Sequence, residues 1–206
     1  MNRIVLNETS YYGAGCRVAI ADEIKKRGFK KVLLVTDKPL IQFGVAAKIE
    51  DVLNNAGIPY EIYSEIKPNP TIKNVLDGLA AFKASGADCM VALGGGSSID
   101  TAKAIGIINN NPEFADVRSL EGVAPTKNKA VPTFAVPTTA GTAAEVTINY
   151  VITDEENRKK MVCSHTNEKS AMISVDAFYY RMNFISYRKT VGWVGYSRYR
   201  NAVHRE

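Results

Sequence analysis

Cys89-Met90-Val91-Ala92-Leu93-Gly94-Gly95-Gly96-Ser97-Ser98-Ile99-Asp100-Thr101-Ala102-Lys103 decides how this chain folds. An apolar run from Cys89 to Leu93 ends in three glycines, and a helical pattern from Thr101 to Ile107 follows. That order predicts a buried strand turning through glycine into a helix. The first N–H groups of a helix have no intrahelical partner, and the helix dipole adds partial positive charge there. Glycines let such a backbone approach a phosphate without a Cβ in the way. The stretch therefore suits a nucleotide pyrophosphate, with a plain glycine turn as the alternative. Ser97, followed three residues later by Asp100, also fits a helix cap in which the acid reaches back, with Lys103 placed to pair with Asp100.

Working outward, strand-like and helix-like segments alternate. Lys31 to Val35 is a branched apolar run ending at Thr36-Asp37, and helical spacing extends from Leu40 to Asn55 before Gly57. Tyr60 to Tyr63 reads as a strand, and Lys67-Pro68-Asn69-Pro70 as a loop, because proline suits neither helix interior nor ladder. Thr71 opens a helix carrying Val75, Leu79 and Phe82, which Gly86 closes. Thr133 to Val136 is another strand and runs into Pro137-Thr138-Thr139-Ala140-Gly141-Thr142. Val146 to Thr153 and Arg158 to Cys163 flank Asp154-Glu155-Glu156-Asn157 as a hairpin, and Ile173 to Val175 is a further strand. The pattern predicts an α/β fold, a Rossmann-like, mostly parallel sheet flanked by helices. Ligands of such sheets sit beyond the carboxyl ends of the strands. Asp37, Asn69, the glycine turn and the Thr138–Thr142 turn all fall there.

Asp37 can accept hydrogen bonds from ribose hydroxyls and repel a 2′-phosphate, which favours NAD over NADP; it serves equally well as a helix N-cap. Thr138, Thr139 and Thr142 can hold a phosphate or the nicotinamide amide, or form a hydroxyl-rich helix start before Glu145. His165 and His204 are the only histidines in the chain. That is too few for a histidine-rich metal site, and no Gly-x-Ser-x-Gly elbow supports a serine hydrolase.

The chain of 206 residues is 46% apolar, enough for a real core. It has no apolar run of about 18 residues, so no membrane helix is expected. The polar opening and the three scattered cysteines, Cys16, Cys89 and Cys163, suggest a cytoplasmic protein without disulfides. The net charge of +5 is local. Arg181, Arg188, Lys189, Arg198, Arg200 and Arg205 face Glu206 alone, and eight of the eighteen aromatics lie in the same stretch, Phe178 to Glu206. Residues 1–177 thus read as one α/β domain and 178–206 as a divergent aromatic and basic tail. The tail either binds single-stranded nucleic acid or has no evolved role, and without a fold motif the second is favoured.

Gly94 to Lys103, Lys67 to Thr71 and Pro137 to Thr147 together resemble the iron-dependent (group III) alcohol dehydrogenases. Within that family, Asn109 to Gly122 and Arg3 to Thr9 are similar to the branch that reduces lactaldehyde to 1,2-propanediol in fucose and rhamnose breakdown. The resemblance covers residues 1–177 and implies that they are an NAD-binding domain. It implies NAD as cofactor, contacted by Asp37, Asn69, Gly95, Gly96, Ser97, Thr138, Thr139, Thr142 and Lys160. It also implies a small aldehyde or alcohol substrate, a homodimer, and Fe²⁺ polarising the carbonyl. In the family an Asp and three His on a C-terminal helical domain hold the iron. Nothing after Ala177 resembles that domain, so this chain alone is expected to be inactive, or a stand-alone nucleotide-binding module. The abrupt change there suggests a shifted reading frame: codons allowed for Tyr196 to Asn201, read one base later, can spell Thr-His-Ala-Ile-Glu, similar to a metal-ligand helix of the family.

Overall fold

The computed structural model describes residues 7–139, 141–165 and 172–176. Its elements run β1 (Thr9–Tyr12), α1 (Ala19–Arg27), β2 (Val32–Val35), α2 (Lys38–Gln42), α3 (Ala47–Asn55), β3 (Tyr60–Tyr63), α4 (Ile72–Ser85), β4 (Cys89–Gly94), α5 (Gly96–Asn110), β5 (Gly122–Ala124), β6 (Thr133–Pro137), β7 (Asn149–Asp154), β8 (Lys159–His165) and β9 (Met172–Asp176). The tail from Phe178, with the nucleic-acid and reading-frame expectations attached to it, lies outside the described residues.

Six strands form one sheet in the order β1-β9-β6-β4-β2-β3, and every pairing within it is parallel. The strand order follows from which runs are apolar on both faces. β2, β4 and β6 are buried throughout and take the interior positions of a sheet that helices cover on both sides. On one face Leu33, Val35, Met90, Ala92 and Ala135 pack with Val75, Leu79 and Phe82 of α4 and Ile99, Ala102 and Ile105 of α5. On the other, Val32, Leu34, Val91, Leu93, Phe134 and Val136 meet Ile20 and Ile24 of α1 and Ile49 and Leu53 of α3. Burying a large aliphatic side chain contributes about 1.5–3 kcal/mol, so these two layers dominate the stability of the domain.

The topology also marks a crevice. From β2 the chain steps outward to β3, then crosses back over β2 to β4 and continues to β6 and β9. Strand order therefore reverses between β2 and β4, and their carboxyl ends open on the same side, the preferred ligand position of an open α/β sheet.

A second sheet, β5-β8-β7, contains the expected hairpin as an antiparallel pair with Asp154 facing Lys159 at its tip. Thr71 opens α4 through a capping box with Asn74, and Gly86 closes it in the left-handed region. The single helix expected from Leu40 to Asn55 is two helices. Gly44, at φ 70°, turns the chain between α2 and α3, a conformation that breaks the helical ladder. The first hairpin strand begins at Asn149 rather than Val146, because Ala144–Val146 forms a short 3₁₀ turn. β1, α1 and β5 go beyond the segments the sequence predicts; among the described residues β1 and β5 are short and pair with distant segments.

Candidate dinucleotide site

At the carboxyl end of β4 the chain passes Gly94 at φ 149°, and α5 begins at Gly96 with Gly95 as its N-cap. No side chain caps this helix, which corrects the expectation that Ser97 does so with Asp100 reaching back. The reason is spatial. Asp100 is drawn toward β7, where its Oδ2 accepts the Val151 N–H at 3.0 Å. Ile99 donates to the Gly95 carbonyl at 3.3 Å, so the N–H groups of Gly96, Ser97 and Ser98 precede the first intrahelical bond. Gly95, Gly96 and Ser97 are only half-buried and stand at the open edge, while Ser98 is buried.

The threonine turn packs directly on this glycine turn. Gly94 and Pro137 are partners in the β4–β6 ladder, and Thr138 N–H donates to the Gly94 carbonyl at 2.9 Å. A Cβ on Gly95 would stand 3.0 Å from Thr139 Oγ1, and one on Gly96 would stand 2.9 Å from Thr142 Oγ1. Glycine is needed here for close approach, and the result is a narrow cradle with backbone amides on one wall and hydroxyls on the other. Ser98 Oγ and Thr36 Oγ1 are buried at this strand edge without a hydrogen-bond partner.

On the neighbouring strand, Asp37 follows β2 and caps α2, its Oδ1 accepting from the Leu40 N–H at 2.9 Å. The cap uses one carboxylate oxygen. Asn69, at φ 55°, accepts on Oδ1 a hydrogen bond from Lys160 Nζ at 2.8 Å, and Thr153 N–H donates to the Pro70 carbonyl at 2.7 Å. The structure thus joins Gly95 to Thr139, Gly96 to Thr142, and Asn69 to Lys160, with Asp37 on the adjoining strand end.

Behind the cradle lies a set of charged groups whose role the sequence did not reveal. Lys103 is buried, and its Nζ donates to the carbonyls of Thr147 at 2.7 Å and Asn149 at 2.9 Å, not to Asp100. Burial lowers Lys103 to about 8, against the opposing pull of Asp100 and Glu145. Burial raises Asp100 to about 6, partly offset by Lys103 and the Val151 N–H. Burial also raises Glu145. The Tyr150 hydroxyl is buried beside them without a partner, and burial pushes it well above its ordinary value. The available signal was one lysine inside an otherwise small and apolar helical run, Thr101 to Ile108.

The cradle suits a dinucleotide on structural grounds: helical amides ahead of the first intrahelical bond, glycines whose Cβ would fill the gap, and buried hydroxyls at the same edge. It does not suit iron. Among the described residues no three His, Cys, Asp or Glu side chains gather to hold a metal ion. Nor, among them, is any helix long and apolar enough to cross a membrane.

The family model described as iron-containing alcohol dehydrogenase matches residues 7–177. Lactaldehyde reductase of Escherichia coli strain K12 is 57% identical over 176 residues, 85% of this chain and 46% of that protein. An alcohol dehydrogenase from Oenococcus oeni superposes with a TM-score of 0.80 at 32% identity, over 87% of this chain and 47% of the other. A sulfoacetaldehyde reductase from Bifidobacterium kashiwanohense, solved in complex with NAD⁺, gives 0.75 at 26% identity, over 87% of this chain and 47% of the other. The chain spans about half the length of the curated relatives it matches.

Proposed function

The chain belongs to the iron-containing alcohol dehydrogenase family, and from that premise we propose that residues 1–177 are the NAD-binding half of a dehydrogenase of small aldehydes and alcohols, with residues 178–206 a separate segment. The observation that carries this is the cradle at the β2/β4 switch point, with Gly95 and Gly96 closed under Thr139 and Thr142. The amides of Gly96 and Ser97 bind the pyrophosphate, favoured by the dipole of α5. Asp37 accepts from the adenosine ribose with the oxygen its cap leaves free and repels a 2′-phosphate. Thr138, Thr139 and Thr142 fix the nicotinamide end, and Asn69 with Lys160 lines the opposite rim.

A nicotinamide cofactor held by these residues would supply the hydride for reduction of a carbonyl. The substrate proposed is lactaldehyde, reduced to 1,2-propanediol, on the 57% identity to the E. coli enzyme. No ligand set for iron exists among the described residues, so carbonyl polarisation is assigned to none of them. The 206-residue chain by itself is proposed to bind cofactor without turning substrate over.

Calorimetric titration of the purified chain with NADH, then with NADH after adding Fe²⁺ or Zn²⁺, tests the proposal. Saturable NADH binding, unaltered by either metal and weaker for NADPH, is the expected result. Failure to bind NADH overturns the assignment of the cradle. Metal-dependent aldehyde reduction by this chain overturns the assignment of inactivity.

A further inference from the structure

We propose that Lys103 and Asp100 are positioning residues that hold the threonine turn shut over the glycine turn; the inference rests on the cradle being the cofactor site. Thr138, Thr139 and residues 141–149 belong to the link from β6 into β7, with Thr139 and Thr142 packed on Gly95 and Gly96. The start of this link is fixed by the bond from Thr138 N–H to the Gly94 carbonyl. Its end is fixed by Lys103 Nζ, which binds the Thr147 and Asn149 carbonyls and stands 3.3 Å from Thr147 Oγ1. Asp100 then takes the next free amide, Val151 N–H. Both side chains project from α5, the helix whose first turn forms the glycine wall, so one rigid element carries the wall and the clamp.

Placing an ammonium and a carboxylate in this interior is unfavourable in itself. Lys103 is 7% exposed, and Asp100 Oδ1 is buried with no hydrogen-bond partner. Buried charges cost stability unless fully paired, and an apolar side chain of similar size is often tolerated as well or better. A clamp explains the pair: the ammonium gathers two carbonyls from a segment with little core of its own. Between Thr138 and Asn149, Ala144 is the one residue with a buried side chain among those described.

The test compares Lys103→Met, Asp100→Asn and Asp100→Ala with the parent chain. Titrations use NADH and ADP, with hydrogen exchange followed in the absence of nucleotide. Lys103→Met is expected to speed exchange across residues 141–149 while α5 stays protected, and to weaken NADH on the order of tenfold while ADP changes less. Asp100→Asn keeps an acceptor for Val151 N–H and is expected to leave exchange at Val151 slower than in Asp100→Ala, which separates loss of that bond from loss of the charge. Asp100→Ala is expected to speed exchange at Val151 and the residues before it, and serves if Lys103→Met does not fold. Unchanged exchange in that segment for either disruptive variant overturns the clamp, whatever NADH does. Parent binding with faster exchange and undiminished NADH affinity overturns its role at the site. Failure of the parent to bind NADH, with faster exchange in the variant, overturns the cofactor reading and the clamp's role in binding, leaving only a structural tie.

Discussion

Lys160 donates to Asn69 across 91 positions of sequence, with Nζ 2.8 Å from Oδ1. The bond joins the hairpin of the small sheet to the β3–α4 loop of the large one, beside the bond from Thr153 N–H to the Pro70 carbonyl. Asn69 holds φ 55°, a conformation asparagine tolerates better than most side chains. In the proposed cofactor site this pair is assigned one rim. Lys160→Ala and Asn69→Gly, the latter preserving the backbone conformation, should each weaken NADH severalfold, and together little more than the worse single change, because they share one bond. Stability should fall by less than about 1 kcal/mol, since the pair is exposed. Additive losses of affinity in calorimetry would show that the two residues act separately.

Asp37 has two assigned tasks, and two substitutions separate them. Asparagine caps a helix as well as aspartate does, whereas alanine costs about 1 kcal/mol. Asp37→Asn should therefore leave the melting temperature unchanged while narrowing the preference for NADH over NADPH. Asp37→Ala should narrow the preference and also lower the melting temperature. Equal NADH/NADPH ratios in the parent and Asp37→Asn would leave Asp37 with its observed cap alone.

The parallel core was legible because burial on both faces leaves unbroken apolar runs, such as Leu33 to Val35 and Val91 to Leu93. The glycine and threonine turns were legible because close approach restricts residue type strongly. Their contact was not, since nothing local says that Thr142 lies over Gly96. Asp100 was misassigned for the same reason. Its spacing from Ser97 satisfies a local capping rule, but Val151, 51 positions away, takes the carboxylate. The break at Gly44 was concealed by apolar spacing that continues on both sides of it. Local periodicity reports which face is apolar; it does not report which distant backbone group a polar side chain will meet.

Arg118 and Asp154 tie the hairpin tip to the segment after α5, and acid should release them. Asp154 accepts from Arg118 Nε at 2.6 Å, Asn157 Nδ2 at 2.8 Å and the Glu156 N–H at 3.1 Å. The Arg118 and Asn157 bonds hold its carboxyl well below the usual carboxylate range. A depressed carboxylate stabilises the fold above its unfolded pKa of about 4 and loses that contribution as pH falls further toward its folded value. The parent should thus lose melting temperature below about pH 4 more steeply than Asp154→Asn, which should melt lower at neutral pH. Parallel melting curves for the two proteins across that range would remove Asp154 from the acid response.

The clamp at Lys103 gives stability and binding opposite responses to alkali. Lys103 titrates at about 8 in the fold, against about 10.4 when unfolded. Asp100 on α5 and Glu145 on the 3₁₀ turn act on it, and Tyr150 on β7 feels Asp100. Between those two values the unfolded chain binds the proton that the fold has released, so the Lys103 contribution to stability rises with pH. Over the same interval the clamp loses its charge, and its bonds to the Thr147 and Asn149 carbonyls weaken. NADH affinity of the parent should therefore fall above pH 8 while its stability relative to Lys103→Met increases. Lys103→Met should show neither trend, having no proton to lose. Measuring both proteins at each pH cancels the titrating groups that Lys103 does not influence, which leaves Lys103 with its neighbours Asp100 and Glu145, and a parent whose affinity and relative stability move in the same direction would contradict the clamp.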